Sequence, residues 1–316
     1  MKEGQTLLVE SIAGFSSGLL QTFVAHPLEI IKTRMQVDKS VKSIEPQLKA
    51  LDVVKQLLKS EHPAATTFRG ITPNLIGSSV GWASFFAMKK YAEDKIISFK
   101  TCPLSEDGIA ATKATLSWYD HGLASAIAGV STQVLSNPIW VVKVRMLASD
   151  AADYKEYHST WSTVKSMYQK EGLKAFYSGM GISMFGVVQG AIQFAVYDTL
   201  NKYASKKEDG TIPKWETVVF SSASKAISIA MLYPYQPIRT RLQVHNAEAE
   251  HGKGIRGVSV QLWKEGGMRA FWKGGTPAVV RTLPATCVTF LVYEWLKPYL
   301  YKRLDKSSSR ELPELK

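Results

Sequence analysis

Pro27-Leu28-Glu29-Ile30-Ile31-Lys32-Thr33-Arg34 returns twice along the chain, as Pro138-Ile139-Trp140-Val141-Val142-Lys143-Val144-Arg145 and as Pro234-Tyr235-Gln236-Pro237-Ile238-Arg239-Thr240-Arg241. The three leading prolines lie 111 and 96 residues apart. A second element follows each string: Phe68-Arg69-Gly70, Tyr177-Ser178-Gly179 and Trp272-Lys273-Gly274. Glu171-Gly172 and Glu265-Gly266-Gly267 precede the last two, and Glu61-His62-Pro63 is a weaker counterpart before the first. One such string arises by chance; three in phase define an internal repeat of about 100 residues. The expected units are 1–105, 113–209 and 212–305, with a polar tail at 306–316.

Each proline string closes an apolar stretch, and each aromatic–Gly element opens another. Residues 11–28, 70–88, 122–142 and 175–197 contain no Asp, Glu, Lys or Arg. Residues 217–238 and 274–293 are broken only by Lys225 and Arg281. A bilayer crossing needs roughly 20 residues of helix, so six spans are expected, against the plainer reading of buried helices in a soluble enzyme. Their Gly, Ser and Thr content lowers hydropathy but suits close helix packing, notably in Gly14/Gly18 and Ser125/Gly129. Residues 48–58, 161–169 and 258–263 read as short amphipathic helices linking the spans. Proline inside a helix removes a hydrogen bond and kinks the rod, so three kinked helices can converge to close one end of a cavity.

Global composition points elsewhere. The chain has 316 residues, 39 Lys+Arg against 27 Asp+Glu, a net charge of +12 and a pI near 9.5. Mean hydropathy is −0.07. Those averages suggest a soluble, basic, nucleic-acid-binding protein. Sorting the charge by place removes that impression. Residues 33–69, 144–178 and 240–273 hold 18 basic and 11 acidic side chains, whereas 89–120 and 199–216 hold 9 and 8. Such an imbalance fits a positive-inside membrane topology. Five further cations, Lys32, Lys143, Lys225, Arg239 and Arg281, fall on the spans with Glu29 as their only acid. Cys102 and Cys287 cannot form a disulfide scaffold, and no Cys/His spacing suggests a metal site. Met1-Lys2-Glu3, with acids at Glu3 and Glu10, is unlike a processed transit peptide.

The Pro-x-[Asp/Glu]-x-x-[Lys/Arg]-x-[Lys/Arg] strings and the aromatic–basic–Gly elements together resemble those of the mitochondrial carrier family, over nearly the whole chain. The resemblance implies an all-α membrane protein: six transmembrane helices in a pseudo-threefold barrel of two-helix repeats with short matrix helices. It also implies a monomeric inner-membrane transporter, not an enzyme, with both termini facing the intermembrane space. No metal, resident cofactor or nucleic acid is expected, while cardiolipin is expected at the matrix-side helix ends. By the same resemblance, a matrix gate falls on Glu29, Lys32, Trp140, Lys143, Gln236 and Arg239. Only one of its three acid positions holds an acid. The opposite gate falls on Asp198, Glu294 and Lys297.

Trp140, the Tyr233-Pro234-Tyr235-Gln236 run, Thr72-Pro73-Asn74, the stretch from Gly186 to Phe194 and Leu283-Pro284 resemble one branch, whose members carry folate, flavin, NAD and pyrimidine nucleotides. Residues 185–200 are most similar to fungal FAD carriers. FAD is therefore the expected transported substrate, with folate, NAD or a pyrimidine nucleotide as alternatives. The family's substrate contacts map to Gly77, Gly186 with Val187, and Arg281, seven residues beyond each motif glycine. Lys225 stands where the other repeats have Gly18 and Gly129, and suits a phosphate. Trp82 and Gln189 are candidate ring contacts.

Overall fold

The computed structural model describes residues 3–38, 49–60, 62–100, 116–149, 157, 159–204, 213–244 and 253–308. Cys102, Glu61, the repeat boundaries at 105, 209 and 212 with residue 113, and tail residues 309–316 lie outside the described residues. Helix is the regular structure throughout: α1 Glu3–Val37, α2 Ala50–Leu58, α3 Pro63–Thr67, α4 Ile71–Lys100, α5 Trp118–Ala148, α6 Thr160–Glu171, α7 Met180–Ser183, α8 Phe185–Asn201, α9 Lys214–Leu232, α10 Tyr235–Gln243, α11 Gly254–Gly266, α12 Gly275–Val280 and α13 Thr282–Ser308. These form six rods, two per repeat, in a ring: α1 packs against α13, α4 against α5, and α8 against α9.

Three rods are less regular than the sequence reading allows. Pro27 and Pro138 sit inside continuous helices α1 and α5, but the third odd rod breaks between Leu232 and Tyr235. Pro237 follows Pro234 within one turn, so two backbone donors are missing where the other rods lack one. The even rods of repeats 2 and 3 are interrupted at Met184 and Arg281. The connectors also carry more than one short helix each. A turn of helix, Pro63–Thr67, or a 3₁₀ segment, Leu173–Tyr177 and Gly267–Trp272, leads into each even rod.

The alternation inside the repeated string explains which face goes where. Glu29 and Lys32, three residues apart, share one face of α1. Ile30 and Ile31 between them turn outward and pack with Val53 and Leu57 of α2. Val141 and Val142 do the same with Met167 of α6, and Ile238 with Val258 and Leu262 of α11. Each connector therefore clasps its odd rod just beyond the proline.

The last arginine of each string links the repeats cyclically. An Arg34 guanidinium nitrogen donates to the Ser149 carbonyl at 3.4 Å, Arg145 Nε to Gln243 O at 3.1 Å, and Arg241 Nε to Gln36 O at 2.9 Å. Carbonyls at a helix C-terminus lack intrahelical donors and carry the negative end of the dipole, so each arginine caps the next repeat's odd rod. Glu171 and Glu265 grip Arg145 and Arg241 from their own repeats with paired contacts of 2.6 and 2.7 Å.

The motif glycines are demanded by a left-handed backbone and close approach. Gly274 has φ 76°, and a Cβ there would lie 2.8 Å from the Lys32 carbonyl oxygen. Gly70, at φ 77°, would meet a Leu147 methyl at 2.5 Å. The expected packing role of Gly14 and Gly18 is not realised among the described residues, where nothing lies within 4 Å of either added Cβ. Gly129 does pack, with a Val187 methyl 3.1 Å from its added Cβ.

Among the described residues, two helical stretches are long and apolar enough to cross a membrane, Leu173–Asn201 with mean hydropathy 1.4 and Gly254–Arg303 with 1.2. Gly274→Ala should destabilise the protein by at least about 1–2 kcal/mol, the cost of left-handed backbone for a residue with a Cβ, before the carbonyl clash is added. Thermal unfolding of detergent-purified protein should show this as a clear fall in Tm, with Gly14→Ala close to wild type.

Candidate functional site

Between the rods lies a cavity of about 480 Å³. Its ionisable lining is Lys32, Lys143, Lys225, Arg239 and Arg281 with one acid, Glu29. Glu29, two residues past the α1 proline, receives Lys143 Nζ from α5 at 2.6 Å. Arg281, at the interruption before α13, reaches the same carboxylate oxygen at 3.2 Å. Asn74 of α4 donates to the other oxygen at 3.3 Å and accepts from Lys143 at 2.8 Å. Lys143 also lies 4.8 Å over the Trp140 ring, which stands in an acid position of the repeat. One carboxylate thus joins helices from all three repeats.

The side chains of Lys32, Lys225 and Arg239 have no hydrogen-bond or ion-pair partner among the described residues. Their charges face a cavity with one carboxylate, already shared. Unpaired cations in an enclosed cavity are costly, so the arrangement favours an anion as occupant.

A neutral wall stands beside the charged one. Tyr235 OH donates to Gln189 Oε1 at 3.0 Å, and Gln236 Nε2 to the same oxygen at 3.4 Å. Beneath it, Gln36 bridges two rods, donating to Tyr233 OH at 2.8 Å and accepting from Thr240 at 2.7 Å. Tyr233 OH in turn donates to the Lys273 carbonyl at 2.8 Å.

The family model of mitochondrial carrier proteins matches residues 3–100, 114–208 and 210–304, one copy per repeat. The chain belongs to the mitochondrial carrier family. Members of this family are transporters. A mitochondrial FAD carrier protein of Saccharomyces cerevisiae is 30% identical over 305 residues, covering 91% of this carrier and 96% of that protein. A chloroplastic nicotinamide adenine dinucleotide transporter of Arabidopsis thaliana is 28% identical, with 96% of each chain covered. Human solute carrier family 25 member 33 is 26% identical, with 93% and 95% covered.

The carrier's sequence-derived candidates fall into three groups. Glu29, Lys32, Trp140, Lys143, Gln236, Arg239, Gln189, Lys225 and Arg281 all line the one cavity. Gly77, Gly186, Val187 and Trp82 stand outside its wall. A Cβ on Gly77 would sit 3.1 Å from Ile139 and 3.5 Å from the Trp140 ring, so this glycine lets α4 approach α5. Val187 fills the notch at Gly129, and Gly186 lies behind the Tyr235 hydroxyl. Trp82, 66% exposed, sits one turn beyond the cavity-lining Ser78 and stacks on Phe86 at 5.9 Å.

The third group belongs to the opposite end. Asp198 is exposed and has no hydrogen-bond or ion-pair partner among the described residues. Lys297 donates to Tyr293 OH at 3.3 Å on its own helix, which also carries Glu294. Glu93, beside these positions in repeat 1, pairs with His121 of α5 at 2.8 Å and with Lys89 of its own helix at 3.9 Å. Asn74, Gln36 and the Arg–Glu clasps have no role that the sequence alone predicts. A signal existed for the clasps, since Arg145 and Arg241 recur in phase with Glu171 and Glu265.

Glu265 lies on the connector helix α11, outside the expected spans at 217–238 and 274–293. Burial alone would raise its carboxyl, but hydrogen bonds and charge from Arg241 and Lys273 outweigh it and hold the pKa below the ordinary value. Its contribution to stability is present at neutral pH, begins to fall below about pH 4.3, and is lost as pH passes the lower folded value. Glu265→Gln should flatten that part of the acid limb in Tm-versus-pH measurements. At pH 7 it should cost about 3–5 kcal/mol by stranding Arg241.

Proposed function

We propose that this carrier moves a nucleotide anion, FAD in the first instance, across the mitochondrial inner membrane by alternating access. The carrying observation is the cavity itself: five cations and one acid, enclosed by three family repeats. On this reading the six rods are transmembrane, with the proline-kinked ends toward the matrix, the side to which the basic connectors assign them. FAD as cargo is supported by the 30% identity to the yeast FAD carrier. NAD is the second reading, supported by the Arabidopsis transporter matched over nearly its full length.

The mechanism follows from who holds Glu29. Empty, the kinked ends are latched by Lys143 and Arg281 on that carboxylate, and the cavity faces away from the latch. A pyrophosphate entering the cavity meets Lys225 and offers Arg281 and Lys143, the two latch cations, a stronger anion than Glu29. Their transfer to the substrate releases α5 and α13 from α1. A ligand shifts such an equilibrium only by its differential affinity for the two states, and here the difference is the latch's own cations. With one acid in three positions, the latch is one inter-repeat carboxylate cluster, where a full set would supply three.

Uptake of labelled FAD, FMN, NAD, folate and UTP into liposomes carrying the purified protein tests the cargo. Saturable FAD uptake is expected; strong uptake of another compound with none of FAD would overturn the assignment. Arg281→Ala and Lys225→Ala should each reduce transport to background; Tm should stay near wild type for Lys225→Ala, and fall for Arg281→Ala, which takes one of the two cations from Glu29. Full transport by Lys225→Ala would return that lysine to a packing role.

A further inference from the structure

The neutral wall of the cavity leaves a specific hydrogen-bonding pattern unfilled. Gln189 Oε1 accepts from both Tyr235 OH and Gln236 Nε2. With its oxygen so engaged, the Gln189 amide turns its NH₂ away from that cluster. Gln236, with its nitrogen engaged, is left with Oε1, which is buried and has no hydrogen-bond partner among the described residues. Reversing both amides together, the only other assignment that keeps the Gln189–Gln236 bond, swaps which residue donates and which accepts. One donor and one acceptor remain in either case. Both side chains line the same cavity as Arg281, Lys225 and Arg239. Tyr235, which orients Gln189, is itself backed by the Phe185 ring at 6.0 Å.

A phosphate or carboxylate cannot satisfy this pair, because an anion offers no donor to the amide oxygen. A purely apolar ring would leave both groups unmatched in a desolvated place. The complement is a neutral heterocycle edge carrying an N–H beside an acceptor. The pyrimidinedione ring of a flavin has such an edge, and so does the amino–N1 side of adenine. We propose that Gln189 and Gln236, held by Tyr235, form a ring-reading edge that selects a heterocycle of this type, while the phosphates of the same molecule lie on Arg281 and Lys225. This rests on the nucleotide reading above and adds what that reading leaves open: which groups recognise the ring. It divides the cavity into two walls, a charged one gathered on Glu29 by all three repeats and a reading edge formed by α8 and α10.

Ligand-induced thermal stabilisation of the purified carrier, titrated to give apparent affinities, tests the edge. The probes are FAD, FAD methylated at flavin N3, FAD dimethylated at adenine N6, and inorganic pyrophosphate as an anion without a ring. A site that hydrogen-bonds its ligand discriminates strongly against one lacking the group. One methylated FAD should therefore bind wild type roughly tenfold or more weakly, and the affected ring is the one read. In Gln189→Leu and in Gln236→Leu that preference should shrink to about twofold. Pyrophosphate binding reports in the same samples that the variants are folded. Equal affinity for FAD and both methylated forms overturns the edge, as does a preference that survives in both variants. If wild type binds UTP and not FAD, the FAD assignment fails but the edge is still on trial: UTP must then beat 3-methyl-UTP, and lose that advantage in the same variants. Stabilisation by pyrophosphate alone, with no nucleotide preferred over it, rejects both.

Discussion

Glu29 is held at once by Lys143 of α5, Arg281 at the head of α13 and Asn74 of α4. Among the described residues no second acid lines the cavity in which this happens, so Lys32, Lys225 and Arg239 have no carboxylate of their own there. That single shared carboxylate fixes how the kinked ends meet. It also fixes which groups an incoming anion can recruit, and hence how occupancy is coupled to opening in the proposed cycle. Buried charge pairs add little stability over apolar packing, but breaking one side of them is costly. The arrangement is thus better suited to switching than to stabilising.

The scaffold around it is built to be indifferent to what the cavity holds. Arg34, Arg145 and Arg241 each cap the odd rod of the next repeat, and Glu171 and Glu265 clasp two of these arginines from outside. The outward-facing Ile and Val pairs between motif acid and base bury the connectors. The arginine caps are threefold. The cavity is not: Trp140 and Gln236 replace acids, and Lys225 replaces glycine. Symmetry thus resides in the frame, and asymmetry in the surface that meets an asymmetric cargo.

Much of this frame was legible in the residues, because a repeat in phase with apolar stretches leaves few architectures open. Glu29, Lys143, Arg281, Lys225 and Gln189 were also recoverable, since charge or amide on an otherwise apolar helix must face a polar interior. The break at Leu232 was foreshadowed by Pro237, which the kink argument left out. Gly77, Val187 and Trp82 show the limit. Spacing from a motif glycine gives depth along a rod but not the rod's rotation, and small residues serve packing as readily as binding. Contacts between distant segments, such as Gln36 with Tyr233 and Thr240, leave no local pattern at all. The opposite end was the least legible: Asp198 stands apart while Glu93 pairs with His121, a partner outside the repeated motifs.

If Glu29 and the cargo compete for the same cations, removing the carboxylate must help the cargo bind. Equilibrium binding of FAD to purified Glu29→Gln, followed by flavin fluorescence, measures this directly. Competition predicts an affinity about tenfold tighter than wild type, equivalent to about 1.4 kcal/mol, because Arg281 and Lys143 no longer have to leave a partner. An unchanged or weaker affinity would mean that Glu29 does not hold the cations that bind the substrate, and would contradict the coupling of cavity to latch.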